Sequence, residues 1–220
     1  MNDRKIHTLY KEYCVPEHII KHMYRVADVA ILLAKKIKDM KGAEPDLDTL
    51  KYGALLHDIV KVCEFNENSD LFQDPAYSKT DHEVWIRLIR NFGQLGHIDA
   101  AFEILEELGE PELANMIKKH KFHSIITNRN SDKLNTIEEK LLYYADKRVL
   151  HDRIVSLKER LDDGKKRYLF INEIRNKDDI GEEDESKTEA AIYQLEKELC
   201  RLAGIAPEDI NESTVERGYY

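Results

Sequence analysis

The sequence predicts an all-α protein. Apolar residues recur at three- and four-residue spacing along nearly the whole chain, and alternating strand patterns are hard to find. Glycine and proline are scarce, 9 and 5 among 220 residues, so there are few turn signals. With 42% hydrophobic content, one domain of ordinary size can bury a core. The chain divides into a helical domain over residues 1–161 and a charged C-terminal extension over residues 162–220.

The first helix is expected over residues 16–40, on the stripe Ile19, Met23, Val26, Ala30, Leu33 and Ile37, with His22 beside it. Pro45-Asp46 opens a second helical segment in which Leu50 and Ala54 share a face with His57. Residues 66–81 are dense in Asn, Asp, Ser and Pro and read as an irregular insertion or a lid. Helices follow at about residues 81–91, 98–108 and 111–120, the last two separated by the stop-and-restart signal Gly109-Glu110-Pro111. Thr136 and Glu139 are spaced as a capping box at the start of a helix that carries Asp146. From Asp162 the stretches DDGKKRY and DDIGEEDE read as a solvated loop. A final helix near residues 186–203, with Ile192, Leu195, Leu199 and Leu202 in register, is expected to dock on the core or on a partner, a homo-oligomer included.

Composition excludes several classes. No 18-residue apolar run and no basic-then-apolar leader occur, so neither a membrane span nor a signal peptide is expected, and the location is read as cytoplasmic. Cys14, Cys63 and Cys200 are odd in number and far apart, which suits a reducing compartment and argues against a cysteine zinc site. A net charge of −9 argues against general nucleic-acid binding. It leaves a nucleotide substrate open, because a metal's charge dominates a small site.

The adjacent pair His57-Asp58 lies in the apolar stretch ALLHDIVK. A buried imidazole and carboxylate are costly unless satisfied, and one divalent cation satisfies both. A hydrogen-bonded histidine with a capping aspartate at a helix end explains the dipeptide equally well. Further candidates recur on apolar faces: His22, His97 at the start of its helix, His120 in line with Leu113, Met116 and Ile117, and Asp146 among Leu142, Val149 and Leu150. Each alone suits a satisfied core histidine or a paired aspartate. Together they supply six hard ligands on five helical segments, enough for two metals.

Four stretches, HMYRVADVA, LLHDIVK, GHIDAAFEILEELGEPELA and YYADKRV, together resemble the HD superfamily of metal-dependent phosphohydrolases, from about His22 to Leu161. The resemblance implies an HD-domain helical bundle in which His22, His57, Asp58 and Asp146 hold one metal. His97 and His120 would complete a second, with Asp58 bridging, as in the di-metal branch that includes symmetrical dinucleoside-tetraphosphate hydrolases. Val60 stands where the HDIG subgroup has glycine, Glu-Asp does not follow the pair, and Gly-Tyr-Pro is missing. His82 rivals His97 as the third histidine.

The implied cofactor is one or two divalent ions per chain, Fe, Mn, Co, Ni, Zn or Mg. The implied reaction is hydrolysis of a phosphate ester or phosphoanhydride, with a nucleotide as the favoured substrate, by attack of a metal-bound hydroxide. Asp58 and Lys61 are the catalytic candidates, and Lys61, His123 and Lys147 the substrate-binding ones. The competing class is a non-catalytic regulator that binds a nucleotide or a protein partner.

Overall fold

The structure, a computed structural model, describes residues 1–41, 44–127, 133–175 and 182–218. Its helices are α1 (Asp3–Glu12), α2 (Glu17–Lys41), α3 (Leu47–Leu56), α4 (Lys79–Phe92), α5 (His97–Glu107), α6 (Pro111–Lys118), α7 (Ile137–Asp146), α8 (Leu157–Arg175) and α9 (Glu182–Ala203). Short 3-10 turns at Lys61–Glu64, Asp70–Gln73, Phe122–Ile125 and Pro207–Asp209 join them. The only strands among the described residues are β1 (Val149–Leu150) and β2 (Arg153–Ile154), an antiparallel pair with Val149 opposite Ile154. The all-α expectation holds.

Helix α2 is the central element. Met23, Val26, Ala27, Val29, Ala30, Leu33 and Ala34 are fully buried because α3, α7 and α9 pack around it. Helices α5 and α6 pair with each other, and α4 packs on the 3-10 turn Lys61–Glu64. Helix α1 precedes the first helix that the sequence predicts; its apolar side is only Ile6, Leu9 and Tyr10. Residues 66–78 form no α-helix, only the 3-10 turn Asp70–Gln73, and they lean on the start of α2, where the Glu17 backbone N–H donates to the Tyr77 hydroxyl at 3.1 Å.

Several ends form as their residues dictate. Asp46 caps α3 by accepting from the Asp48 and Thr49 N–H groups, and Thr136 and Glu139 make the reciprocal capping box of α7. Gly109 takes φ +72, a left-handed conformation that suits a residue without Cβ, and Pro111 restarts the chain as α6.

The segment from Asp162 is a correction. It continues α8 instead of forming a loop, because the pairs Lys158–Asp162 at 2.5 Å and Asp163–Arg167 at 2.8 Å have the i, i+4 spacing that supports a polar helix. Of the acidic run, residues 178–181 lie outside the described residues, and Glu182–Glu185 begin α9. The apolar stripe of α9 is buried against α2 and α7. Beyond α9 the chain returns to α2, where buried Arg25 donates to Glu212 at 2.6 Å and to the Val215 carbonyl at 3.1 Å.

Candidate metal centre

Six side chains meet where three helices end. His57 is the C-cap of α3 and Asp58 follows it, His120 lies two residues past α6, and Asp146 is the last residue of α7. Sequence periodicity put His57-Asp58 and Asp146 inside helices; the structure puts them at helix ends. The negative ends of three helix dipoles therefore face the site, a setting that favours cations. His97 is the first residue of α5, and His22 lies in the second turn of α2.

The convergence depends on close packing. Helix α3 approaches α6 at Gly53, where an added Cβ would lie 2.8 Å from the Met116 sulfur. Buried Lys119, beside His120, donates to Glu139 at the start of α7 at 2.6 Å. Gly96 at φ +86 turns the chain so that the His97 N–H donates to Glu64 Oε1 at 3.0 Å.

The ligand atoms fall into two groups, each with all its atoms within 4.8 Å of one another: His22, His57 and Asp146, and Asp58, His97 and His120. In the first, His22 Nε2 lies 3.2 Å and His57 Nε2 3.8 Å from Asp146 Oδ1. In the second, Asp58 Oδ1 is 3.0 Å from His97 Nε2 and 3.9 Å from His120 Nε2. The other oxygen, Asp58 Oδ2, reaches back to 3.8 Å from His57 Nε2, so Asp58 touches both groups.

All four histidines are oriented alike. Nδ1 of His22 donates to the His151 carbonyl at 2.8 Å, that of His57 to Ala54 O at 2.8 Å, that of His120 to Ile117 O at 2.6 Å, and that of His97 to Glu64 at 2.5 Å. These bonds fix the tautomer and turn each Nε2 lone pair toward the centre, the arrangement seen in metal-ligating histidines. His57 and His120 each bond a carbonyl three residues back in the last turn of the helix, and Ile117 O also accepts from the His120 N–H at 3.1 Å. The fully buried Nε2 of His57 has no hydrogen-bond partner, although two carboxylates stand 3.8 Å away. A buried acceptor without a partner is costly. The distances, too long for hydrogen bonds, leave room for an ion that both kinds of ligand would contact. The nitrogen and carboxylate donor set, without thiolate, fits a divalent first-row metal.

Electrostatics agree with that fit. Burial alone would raise the Asp58 carboxyl, but Lys61, His57 and His97 hold it well below the usual range. Asp146 is held low in the same way by Lys147 and His22. Burial and the neighbouring imidazoles His57 and His97 push His120 well below its ordinary value and keep it neutral, as a ligand must be. Burial would lower His57 as well, yet the charges of Asp58 and Asp146 outweigh it and its pKa is raised.

A cleft of about 390 Å³ opens over both groups, bordered by His18, Phe65, His151, Arg160 and Arg167 in addition to the ligands. Lys61 lies on its wall with Nζ 3.0 Å from His97 Nε2 and 3.4 Å from Glu64. Lys147 is buried, its Nζ donating to Asp146 Oδ2 at 2.7 Å. His123 stands outside the cleft, paired with Thr188 at 2.9 Å. His82 is elsewhere, among Phe72 and Trp85 with ring centres 5.4 and 5.3 Å away, so His97 and not His82 joins the cluster.

The sequence reading missed Glu64, Arg160 and the His151 carbonyl. A carboxylate after Val62 and Cys63, and an arginine between Leu157 and Leu161, are the local signals for the first two. His151 takes φ +57 in the β1–β2 turn, a backbone feature that its side chain does not announce.

A family model described as HD domain matches residues 19–150, more than half of the chain. No curated protein and no solved structure matches it.

Proposed function

The chain belongs to the HD-domain family, a family of metal-dependent phosphohydrolases, and on that premise we propose that it hydrolyses a phosphate ester or phosphoanhydride of a nucleotide. The observation that carries this reading is the pair of His/Asp groups joined through Asp58, with an unpartnered, fully buried Nε2 on His57. His22, His57 and Asp146 would hold one ion, His97 and His120 a second, and Asp58 would be shared. Divalent ions bound there supply Lewis acidity toward phosphoryl oxygens and lower the pKa of water to about 7 in favourable cases.

The remaining chemistry belongs to side chains. Lys61, on the cleft wall, meets negative charge that develops on the phosphoryl group. Arg160 and Arg167 border the same cleft and orient phosphoryl oxygens. His18 and Phe65, stacked with centroids 6.4 Å apart, line its mouth and limit water. Lys147 neutralises Asp146 and keeps its ligand oxygen placed.

The test combines metal analysis with a hydrolysis panel of nucleoside mono- and triphosphates, dinucleoside polyphosphates, p-nitrophenyl phosphate and bis(p-nitrophenyl) phosphate. Wild type should carry up to about two transition-metal ions per chain. Asp58→Ala should lose most of the metal and all turnover. Unchanged metal content in that variant would sink the shared-ligand assignment. A fully metallated wild type that turns over nothing would move the reading to a regulator.

A further inference from the structure

A second cavity adjoins the metal cleft. It has a volume of about 340 Å³ and lies between the 3-10 turn Phe122–Ile125, α8 and α9. Phe122 and Arg160 border both spaces, and Lys147, bonded to the outer oxygen of Asp146, lines the second. Its size falls in the range of small-molecule pockets. Its outer wall, on α8 and α9, comes from residues beyond the 19–150 family match.

Resting on the phosphohydrolase reading, we propose that this cavity seats the nucleoside of the substrate while the phosphoryl group lies in the metal cleft. Arg160 stands at the passage, its Nε held by the Val149 carbonyl at 3.0 Å, and its terminal nitrogens have no partner among the described residues. They are placed to take the phosphoryl group at the junction. Inside, Phe122 and Leu161 offer apolar surface and Glu185 and Glu189 offer acceptors. Lys165 is committed to Glu189 at 2.6 Å and Lys147 to Asp146, so among the described residues of the pocket only Arg160, at the passage, keeps cationic donors for an anion. A second phosphate would be repelled, and an alkyl chain would leave the carboxylates facing carbon. A nucleoside answers both conditions, with a flat base for Phe122 and amine or ribose hydroxyl donors for the carboxylates.

Gly164 makes the test clean. It lines the pocket from α8, and a Cβ added there would meet only the Arg160 Nη1, at 3.7 Å. Larger side chains at this position enter the cavity, and replacing a mid-helix glycine favours the helix. Metal-loaded wild type, Gly164→Ala and Gly164→Leu should be compared on nucleoside 5′-monophosphates and on glycerol 2-phosphate. Gly164→Leu should raise the nucleotide KM by about tenfold or more while kcat and the glycerol 2-phosphate KM stay unchanged, and Gly164→Ala should follow wild type. An unaltered nucleotide KM in Gly164→Leu, or equal damage to both substrates, overturns the pocket assignment and leaves the hydrolase reading in place. If wild type hydrolyses neither compound, monoester hydrolysis is excluded and the wider panel above decides the hydrolase reading. Calorimetric binding of adenosine 5′-monophosphate then decides the pocket: weakening of about tenfold in Gly164→Leu supports it, and equal affinities or no binding to wild type overturn it.

Discussion

Glu64 touches only one of the two ligand groups, so its removal should weaken one ion and spare the other. Its Oε1 accepts from both the backbone N–H and the Nδ1–H of His97, at 3.0 and 2.5 Å. Those bonds, with Lys61, hold the carboxyl below the usual range although it is partly withdrawn from water. Hydrogen bonds to a charged acceptor contribute about 1.5–3 kcal/mol each. The Glu64 side chain is 36% exposed, so water replaces part of that loss and the lower end applies. Loss of such an outer partner typically costs about 10–100-fold in metal affinity, or about 1.4–2.8 kcal/mol, and the estimate for Glu64→Ala sits toward tenfold. Chelator competition followed by isothermal calorimetry should resolve two ions in wild type. In Glu64→Ala the ion at Asp58, His97 and His120 should weaken while the ion at His22, His57 and Asp146 stays put. Glu64→Gln, which retains an acceptor, should fall between. Equal weakening of both ions, or of neither, refutes the idea that Glu64 acts through His97.

Lys61→Ala should keep fold and metal but lose about ten- to a thousandfold in kcat, the range for one charge-stabilising donor; wild-type turnover would make Lys61 an ordinary wall residue. Stability of the metal-free protein should fall with acid. Asp58 and Asp146 have native pKa values depressed below 3.8, so their stabilisation is complete above the unfolded value and disappears as pH drops through the native one. Melting temperatures taken downward from about pH 6 should decline below about pH 4, and Asp146→Asn should flatten the curve; an unchanged slope argues against the carboxylate contribution. Gly53→Ala should destabilise by no more than about 1–2 kcal/mol in urea: its Cβ would sit 2.8 Å from Met116 Sδ, the flexible end of a buried side chain, while alanine inside α3 returns about 1 kcal/mol. Pairing it with Met116→Ala should make the two losses less than additive, and strict additivity would separate the sites.

Periodicity revealed helices well, because α2 and α9 bury long regular stripes, whereas α1 carries too short a stripe to stand out. The stretch after Asp162 misled because its residues are polar, and pairs such as Asp163–Arg167 support a helix without apolar patterning. The six candidate ligands were legible as costly polar residues on apolar faces, and the structure brings all six together. What one sequence could not show was how their second nitrogens are held. That depends on backbone carbonyls at Ala54, Ile117 and His151 and on the Gly96 turn, which are properties of chain path and not of residue type. His82 illustrates the limit: it lies among Phe72 and Trp85, with nothing in its local sequence to separate it from His97.

The bonds from His57 and His120 to carbonyls three residues back have a cellular consequence. The rings that would hold ions also tie off the ends of α3 and α6. An ion that binds only the folded chain adds stability by mass action, about 2.7 kcal/mol when free metal is a hundredfold above its dissociation constant. Metal supply would then govern how long the protein survives as well as whether it works. In starved cells the unfolded fraction open to proteases would grow, and the pool of folded protein would shrink along with the metal supply.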